Sequence, residues 1–458
     1  MNLRTSYNRR DAIRLATLAG TVLATPGLRA SVFGFPAGHA AGAIKPIPNQ
    51  KQLAQQILAD TTLTEVHTKA RALLQGGLNA GSGYPTTWIR DMNTFLNIAI
   101  QVNPPERFRE ALLMFFKFQG PTGDIIDCFI ARNPAKLAVN DRTSPLASGY
   151  VGSKNTVETD QESSLVQAVS KYIAYSGDKR FLGEQVGGST VRECLGKAIN
   201  YVLTERFDPE HGLVWGGTTI DWGDVQPEGP RGVVLDSSSH RACSIYANAM
   251  LLVAIADYLD LLGDSPDSAH WKQVQSRLHK AVRKHLWDHR RQKFIPHVYL
   301  NGSPFPADFD ENAIYYHGGT AVAIEAGLLS RAEVAAACAR MEDNVRKANA
   351  SSIGLTIYPP YPLGYFKNPQ LTTPYTYQNG GDWCWFGGRM IQQLVRYGYI
   401  EEAYGNLRPM VERVQRVGDF HEWWTRDNQP RGSGQFRGSA GVLGQAIEML
   451  QSWAKRAT

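Results

Sequence analysis

Apolar residues recur at spacings of three and four along most of the chain, which is the pattern of one buried face of an α-helix. Leu251, Ile255, Tyr258 and Leu262 show this spacing, whereas strand-like alternation is rare. The pattern predicts about twelve helical segments, near residues 50–76, 88–102, 105–118, 160–176, 189–206, 240–262, 267–287, 314–327, 330–348, 382–398, 400–417 and 437–455.

The connections between these segments alternate in length. Short links such as 103–106 and 397–400 join some neighbours, whereas long loops rich in glycine, proline and aromatic residues precede others, at 119–159, 207–239, 288–313, 349–381 and 418–436. Long loops without regular structure are usually functional. Twelve helices with a long loop before every second one form six helix pairs. We therefore predict an all-α fold, an (α/α)6 toroid with an inner and an outer ring of helices.

The segments that lead into the even-numbered helices carry carboxylates, amides and aromatic rings. If these helices form the inner ring, all six segments meet at one mouth, where the helix N-termini carry partial positive charge. The residues in these segments are Trp88, Arg90 and Asp91; Glu158, Asp160 and Glu162; Asp221, Trp222, Asp224, Asp236 and His240; Glu311, Tyr315, Tyr316 and His317; Gln378, Asn379, Asp382 and Trp383; and Glu422, Trp423 and Trp424.

This set of residues indicates a class of chemistry. It contains no serine or cysteine nucleophile with a His-Asp partner, no glycine-rich phosphate loop and no clustered metal ligands, so we expect no metal and no cofactor. A site with many carboxylates and many aromatic rings suits glycoside hydrolysis. One carboxyl group protonates the leaving oxygen, another activates water or attacks the anomeric carbon, and the rings hold the sugar. Arg90 and Asp91 either bind sugar hydroxyls or form a buried salt bridge, and both roles are compatible.

Four of these segments resemble motifs of one superfamily. They are "TWIRDMN", "TVETDQESS", "TYQNGGDWCW" and "HEWWTRDNQPRG", in that order along residues 80–455. They resemble the six-hairpin glycosidases, most closely the alkaline/neutral invertase family, with kinship to glucoamylase-like and processing α-glucosidase-like families. The resemblance implies that Asp160 is the general acid and Glu422 the general base or nucleophile. Trp423 and Trp424 would then shape the sugar site rather than only cap a core.

Other readings of these carboxylates stay open. Glu158 and Glu162 compete with Asp160, and Asp160 also stands where an aspartate would cap a helix. The segment "QESSLV" departs from the invertase pattern, and the loop "TTIDWGDV" makes Asp221 and Asp224 further candidates for the acid. Their alternative role is to bind sugar hydroxyls or to hold the loop. We interpret His240 and His317 as hydrogen-bonding or packed histidines rather than ligands.

The predicted substrate-binding residues complete the site. They are Trp88, Arg90, Asp91, Trp222, Asp221, Asp224, His317, Gln378, Asn379, Asp382, Trp383, Trp423 and Trp424.

The composition mainly excludes some classes of function. The 458 residues carry a net charge of +6, but lysine and arginine are scattered, so nucleic-acid binding is not expected. The five cysteines are odd in number and show no CxxC spacing, so we interpret them as buried thiols. Beyond the N-terminal segment, no run of 18 apolar residues predicts a membrane span.

The N-terminus has the order of a twin-arginine export signal. A polar start is followed by Arg9 and Arg10, a moderately apolar stretch and an alanine-rich end near Ala30. The alternative is a chance arginine pair before an amphipathic helix. We expect residues 1–40 to be signal and linker, 41–458 to be the glycosidase domain, and the protein to be periplasmic or secreted.

The sequence thus predicts an exported glycoside hydrolase that cleaves an α-linked glucoside or a small oligosaccharide with two carboxylates and with inversion. Two rival classes remain. One is a sugar epimerase or phosphorylase on the same toroid, and the other is an oligosaccharide-binding protein without catalysis.

Overall fold

The computed structural model describes residues 49–133 and 141–458, which contain thirteen α-helices. The predicted signal lies outside these residues. The helices are α1 Gln50–Ala59, α2 Thr61–Leu74, α3 Ile89–Ala99, α4 Pro105–Lys117, α5 Gln161–Ser176, α6 Val191–Glu205, α7 Ile245–Leu262, α8 Ser268–His285, α9 His317–Glu325, α10 Arg331–Ala348, α11 Cys384–Arg396, α12 Ile400–Val417 and α13 Arg437–Ala457.

Six helices form a closed inner ring. Each of α3, α5, α7, α9, α11 and α13 packs against the next in this order, and α13 packs against α3. The intervening helices α2, α4, α6, α8, α10 and α12 pack outside, and α1 lies against α13. The prediction of an (α/α)6 toroid is confirmed.

Burial separates the two rings. In α11 every residue from Cys384 to Leu394 is buried, whereas α8 buries a single stripe that includes Trp271, Leu278 and Val282. A helix in contact with neighbours all round needs apolar or small residues on every face, while an outer helix needs only one such face. Helix α7 is also long and apolar enough to cross a membrane by composition, but most of it is buried among its neighbours.

The first predicted helix, near 50–76, is instead two helices. The chain breaks at Asp60, whose Oδ1 accepts from the amide of Thr62 at 3.0 Å and caps α2. Its Oδ2 accepts from the hydroxyl of Tyr404 at 2.8 Å. An aspartate in this extended conformation is a strong helix-start signal. The remaining eleven predicted helices are confirmed, with ends that differ by a few residues.

Short antiparallel strands fix the loops. The described strands are β1 Thr87–Trp88, β2 Cys128–Ala131, β3 Asp141–Arg142, β4 Tyr150–Ser153, β5 Gln185–Val186, β6 Ser189–Thr190, β7 Phe207–Asp208, β8 Leu213–Val214, β9 Gly216–Gly217, β10 Arg241–Ser244, β11 Trp287–Asp288, β12 Lys293–Phe294, β13 His297–Tyr299, β14 Tyr315–Tyr316, β15 Ile357–Tyr358, β16 Trp423–Trp424 and β17 Pro430–Arg431.

Several of these strands lead directly into inner helices. Strand β1 pairs with β2 in the order β1-β2-β4-β3 and enters α3, while β10 lies between β9 and β13 and enters α7. The pairing of β10 explains why α7 begins at Ile245 rather than near residue 240. The strands hold the loops over the N-terminal end of the inner ring, where the sequence places the candidate site.

Candidate active site

A cavity opens at the N-terminal end of the inner helices and spans about 610 Å³ when the open solvent at its entrance is counted. Its wall contains five carboxylates, one cation and a group of aromatic rings. The lining residues are Ala80, Tyr84, Trp88, Ile89, Arg90, Asp91, Asp127, Glu158, Gln161, Trp222, Asp224, Tyr377, Gln378, Trp383, Trp385, Glu422 and Phe436. We call this space the mouth cavity.

Glu422 is held at the wall of the mouth cavity by three donors. The hydroxyls of Tyr84 and Tyr377 donate to its Oε1 at 2.9 and 3.0 Å, and the amide of Ser433 donates to its Oε2 at 2.9 Å. The side chain is 3% exposed. Burial raises the pKa of Glu422 above its usual value, the three donors lower it in part, and the charge of Asp224 raises it further.

The backbone around Glu422 fixes its direction. Strand β16 follows it and pairs with β17, and Trp424 also exchanges two backbone hydrogen bonds with Asp382, at 2.9 and 2.8 Å. Gly432 packs directly against the Glu422 side chain with a φ of 69°, and a Cβ at this position would lie 2.3 Å from Glu422 Oε2. Only glycine satisfies both the left-handed conformation and the close approach.

Arg90 organises a second group of carboxylates. Its Nε and Nη2 donate to the two oxygens of Asp160 at 2.9 and 2.8 Å, and its Nη2 also contacts Glu158 Oε2 closely. Its Nη1 donates to the carbonyl of Trp222 at 3.1 Å. Protein acceptors thus take four of the five guanidinium N–H groups.

Asp91 presents a free acceptor. It lies in the first turn of α3, is 8% exposed, and its Oδ1 has no hydrogen-bond partner in the described part of the chain. Burial raises the pKa of Asp91 to about 7, opposed by the charge of Arg90 and assisted by those of Glu422 and Asp224. A buried polar atom without a partner is uncommon, and a substrate hydroxyl would satisfy it.

Asp224 has weaker hydrogen bonding in the described part of the chain than Asp127, Glu158 or Glu422. It is partly exposed, and its side chain has one long contact, 3.5 Å from Gln378 Nε2 to its Oδ1. Asp127, by contrast, is fixed by the amide of Asn155 at 2.6 Å and by Gln161 Nε2 at 2.7 Å. Asp224 is therefore held less firmly by its neighbours than Asp127 is.

Aromatic rings form much of the remaining wall. Trp222 meets Trp383 edge to face, with ring centroids 5.5 Å apart, and Trp383 donates from its Nε1 to the carbonyl of Tyr377 at 3.1 Å. The indole Nε1 atoms of Trp88 and Trp385 have no partner among the described residues. Such rings offer apolar faces and unused donors to a sugar.

Eight of the predicted residues thus meet at one cavity, namely Trp88, Arg90, Asp91, Trp222, Asp224, Gln378, Trp383 and Glu422. The other seven lie behind its wall. Asp160 is 1% exposed, and its two oxygens accept hydrogen bonds from Arg90 and from the hydroxyl of Tyr246, the latter at 2.8 Å. It stands at the N-cap position of α5 but makes no capping hydrogen bond.

Asp221 and His317 support the loops. Both Asp221 oxygens accept from the amide of Gly319, at 2.8 and 3.0 Å, which ties the loop to the start of α9. The ring nitrogens of His317 contact the carbonyl of Ile353 and the amide of Asn344. Burial lowers the pKa of His317 to about 4, so the ring is neutral at neutral pH.

The remaining predicted residues are also structural. Asn379 bonds to the backbone of Tyr361, and Asp382 accepts from Arg413 Nη2 at 2.7 Å. Trp424 is fully buried against the guanidinium of Arg413, while Trp423 is half-buried beside Tyr377. None of these four residues is among those that line the mouth cavity.

Sequence reasoning missed several cavity residues. Tyr84 and Tyr377 stand in or beside quoted motifs, but nothing in their spacing shows that both hydroxyls reach one carboxylate. Asp127 lies in a long loop and reaches the cavity because β2 pairs with β1, in a register that sets Cys128 opposite Trp88. Glu162, a rival for the acid role, is instead paired with Lys154 at 3.0 Å.

Comparison with protein-family models gives one match. Residues 56–398 match the catalytic domain of the glycosyl hydrolase 94 superfamily. The chain belongs to this family. This glycosyl hydrolase 94 domain is therefore a glycosidase of the six-hairpin type, and the match ends before Glu422. None of the curated proteins compared matches the chain.

Solved structures share the fold of this glycosyl hydrolase 94 chain. The GH63 mannosylglycerate hydrolase from Thermus thermophilus, in complex with glucose, has a TM-score of 0.59 at 16% identity and covers 84% of this chain and 99% of its own. A rhamnosidase from Klebsiella oxytoca with rhamnose bound has a TM-score of 0.54 at 13% identity, with coverages of 84% and 63%.

A third similar structure is the GH78 family rhamnosidase of Bacillus sp. GL1, with a TM-score of 0.56 at 14% identity and coverages of 84% and 34%. At these identities the likeness concerns the fold. The narrower resemblance to the alkaline/neutral invertases stays a prediction.

Proposed function

We propose that the protein hydrolyses an α-linked glucoside or a small oligosaccharide, with Glu422 as general base, Asp224 as general acid, and inversion at the anomeric carbon. The observation that carries the proposal is the environment of the Glu422 carboxylate. Two tyrosine hydroxyls and one backbone amide hold its carboxylate at the wall of a ring-lined cavity that also contains Asp224.

The environment of Glu422 suits a base. Its three donors fix the carboxylate in one orientation, so the oxygen that takes a proton from water needs no reorganisation. Burial raises the pKa of Glu422, and a base of higher pKa accepts a proton more readily provided that it is ionised at the working pH.

We assign the acid role to Asp224 by comparing it with the other cavity carboxylates and with Asp160. Asp127 and Glu158 already accept hydrogen bonds from neighbouring side chains, and Asp160 lies behind the wall. Asp91 is buried on the cavity floor, where the sugar ring binds in this proposal. Asp224 is partly exposed, and a leaving group must depart on the side toward solvent.

The other free polar atoms would hold the sugar. Asp91 Oδ1 accepts from a hydroxyl, and Gln378 Oε1, which is buried and has no partner in the described ranges, accepts from another. The indole Nε1 atoms of Trp88 and Trp385 donate. A site that pairs these groups rejects analogues that lack the matching hydroxyl.

Two observations favour hydrolysis over the rival reactions. Arg90 is the one cation among the described residues that line the cavity, and protein acceptors take four of its five N–H groups. A bound phosphate would therefore find a single free N–H group there. An epimerase would use paired histidines, but His317 is buried in the scaffold and His240 bonds to Glu228 at 2.7 Å.

The α-glucosidic specificity rests on the motif resemblance and receives support from the GH63 structure, which was solved with glucose. It is tested by a chromatographic screen of sucrose, trehalose, maltose, isomaltose, kojibiose, nigerose, α-mannobiose and β-linked controls, with and without phosphate. We expect phosphate-independent cleavage of one α-linked member, lost in Glu422→Gln. Proton NMR of the first product should show the β-anomer; an α-anomer would contradict inversion.

We also propose that residues 1–40 direct export, on the strength of Arg9 and Arg10 before an apolar stretch. Replacing both arginines with lysine should retain the precursor in the cytoplasm of a bacterium with a twin-arginine system. Unchanged processing of that variant would contradict the proposal.

A further inference from the structure

A second, larger cavity lies at the opposite end of the toroid. With the open solvent at its entrance counted, it spans about 2590 Å³, against about 610 Å³ for the mouth cavity. All six inner helices contribute residues from beyond their first turns, such as Lys171 of α5, Asp257 of α7 and Gln393 of α11. We call this space the far cavity.

The wall of the far cavity carries both signs of charge. Glu325 accepts from Arg389 Nε at 2.6 Å and lies 3.6 Å from Arg396 Nη1. Lys171 donates from Nζ to the carbonyl and Oδ1 of Asn93, at 2.7 and 2.8 Å. The full charged set is balanced, with cations Lys171, Lys272, Arg389 and Arg396 and carboxylates Asp257, Asp260, Glu325 and Glu448.

Some polar groups in this wall lack partners. Gln393 is 1% exposed, yet its Nε2 has no hydrogen-bond partner in the structure as described, although its Oε1 accepts from Arg396 at 3.1 Å. The Nε of Arg396 is also buried and unpartnered among the described residues. Buried donors are almost always satisfied, so these two call for acceptor atoms that enter the cavity.

Amides and rings complete the wall. Gln392 and Gln445 line the cavity together with Gln393, as do Tyr175 and Tyr397. Tyr175 is 47% exposed, which is high for so large a ring. Amide groups offer a donor and an acceptor together, and flat rings offer an apolar face, the combination that suits ring-shaped molecules bearing many hydroxyls.

We propose that the far cavity is a second binding site, for a neutral polyhydroxylated ligand of mono- or disaccharide size. Balanced wall charges favour neither an anion nor a cation. Hydroxyl groups both donate and accept, so they can satisfy Gln393 and Arg396 as well as the carboxylate of Asp257. Binding here does not depend on hydrolysis at the mouth cavity.

The groups not used for hydrolysis fit this assignment. Burial lowers the pKa of Lys171 to about 8 and raises that of Asp257 to about 7, while the neighbouring charges act in both directions. Both side chains are partly buried and line the far cavity. Neither lies at the mouth cavity.

The test is calorimetric titration of the full-length protein with glucose, mannose, rhamnose, maltose and sucrose, and with glutamate and phosphate as charged comparisons. Two variants perturb the far cavity: Gln393→Leu removes the unpaired donor, and Tyr175→Ala removes an exposed ring that the fold does not need. Gln451→Leu, on the outer part of α13, is the matched control. Glu422→Gln marks binding at the mouth cavity.

We expect at least one neutral sugar to show a binding component that weakens tenfold or more in Gln393→Leu and Tyr175→Ala. That component should be unchanged in Gln451→Leu and Glu422→Gln, and the hydrolytic rate of both far-cavity variants should match that of the parent. Absence of sugar binding, binding insensitive to both far-cavity variants, or binding of glutamate or phosphate alone would overturn the proposal. None of these outcomes bears on hydrolysis at Glu422.

Discussion

The hydroxyl of Tyr84 donates to Oε1 of Glu422 at 2.9 Å, and this bond joins the segment before the first inner helix to the segment before the last. The toroid closes at the same seam, where α13 packs against α3. Closure of the ring and orientation of the proposed base therefore depend on the same pair of segments.

The first prediction concerns this bond. Tyr84→Phe removes a donor that lowers the pKa of Glu422, so that pKa rises further. Because the base must be ionised, activity falls as the pH drops through its pKa, and the acidic limb of kcat/KM should move to higher pH. The loss at the optimum should be on the order of tenfold, as for one hydrogen bond to a charged group.

Tyr404→Phe is the matched control, because Tyr404 also donates to a carboxylate, Asp60, but far from the mouth cavity. Its pH profile should equal that of the parent. An acidic limb that stays in place in Tyr84→Phe would show that this bond does not tune the base.

The second prediction concerns Gly432. Gly432→Ala would place a Cβ 2.3 Å from Glu422 Oε2 at a φ of 69°, so both the backbone and the base must shift. We expect a loss of at least about 1 kcal/mol in unfolding free energy and a marked fall in kcat. Gly405 lies within helix α12, and a Cβ added there would meet no atom within 4 Å. Gly405→Ala should therefore stabilise the folded protein by about 0.5–1 kcal/mol and leave kcat unchanged.

The third prediction separates support from catalysis at Asp160. Asp160→Asn removes the carboxylate charge that pairs with the guanidinium of Arg90. The substitution should cost on the order of 3 kcal/mol in unfolding free energy, measured by denaturant titration. The exposed Asp264→Asn should cost almost nothing. Full stability of Asp160→Asn together with complete loss of activity would restore Asp160 as the catalytic acid.

The fourth prediction concerns Asp91, whose folded pKa is about 7 against an ordinary value of 3.8. Between these values the folded state binds the extra proton, so this residue makes stability fall as the pH rises from about 4 to about 7. Asp91→Asn removes that dependence. The variant should gain stability over the parent at pH 8, on the order of a few kcal/mol, with a gap that closes toward pH 4.

A constant gap at both pH values would mean that Asp91 is ionised in the folded protein throughout. Activity gives an independent readout, since loss of the Asp91 carboxylate should weaken substrate binding and raise KM. Stability gained while binding is lost is expected of a buried carboxylate kept for function.

The sequence predicts the toroid and the region of the site well, and the reasons are local. Helical spacing and loop lengths identify the inner helices. Residues such as Trp88 and Glu422 stand in the segments that enter these helices, and all of those segments lie at the same end of the ring. The order of elements along the chain is enough to place them there.

The proposed assignment of the acid role to Asp224 rather than Asp160 could not be predicted in this way. Which carboxylate Arg90 occupies depends on contacts from distant segments, such as the Tyr246 hydroxyl on Asp160. The sequence places both aspartates near the mouth, but side-chain packing decides which one reaches it. The same holds for Tyr377, whose target is 45 residues away.

The most direct test of the central claim compares two leaving groups in Asp224→Asn. Hydrolysis of the disaccharide substrate needs an acid, whereas α-glucosyl fluoride releases fluoride without protonation. We predict that Asp224→Asn loses a factor of about 10²–10⁴ in kcat on the disaccharide, as for loss of a general acid, but less than tenfold on the fluoride. Glu422→Gln should lose both activities. Equal losses on the two substrates in Asp224→Asn, or a retained disaccharide activity, would contradict the assignment of Asp224 and Glu422 as the catalytic pair.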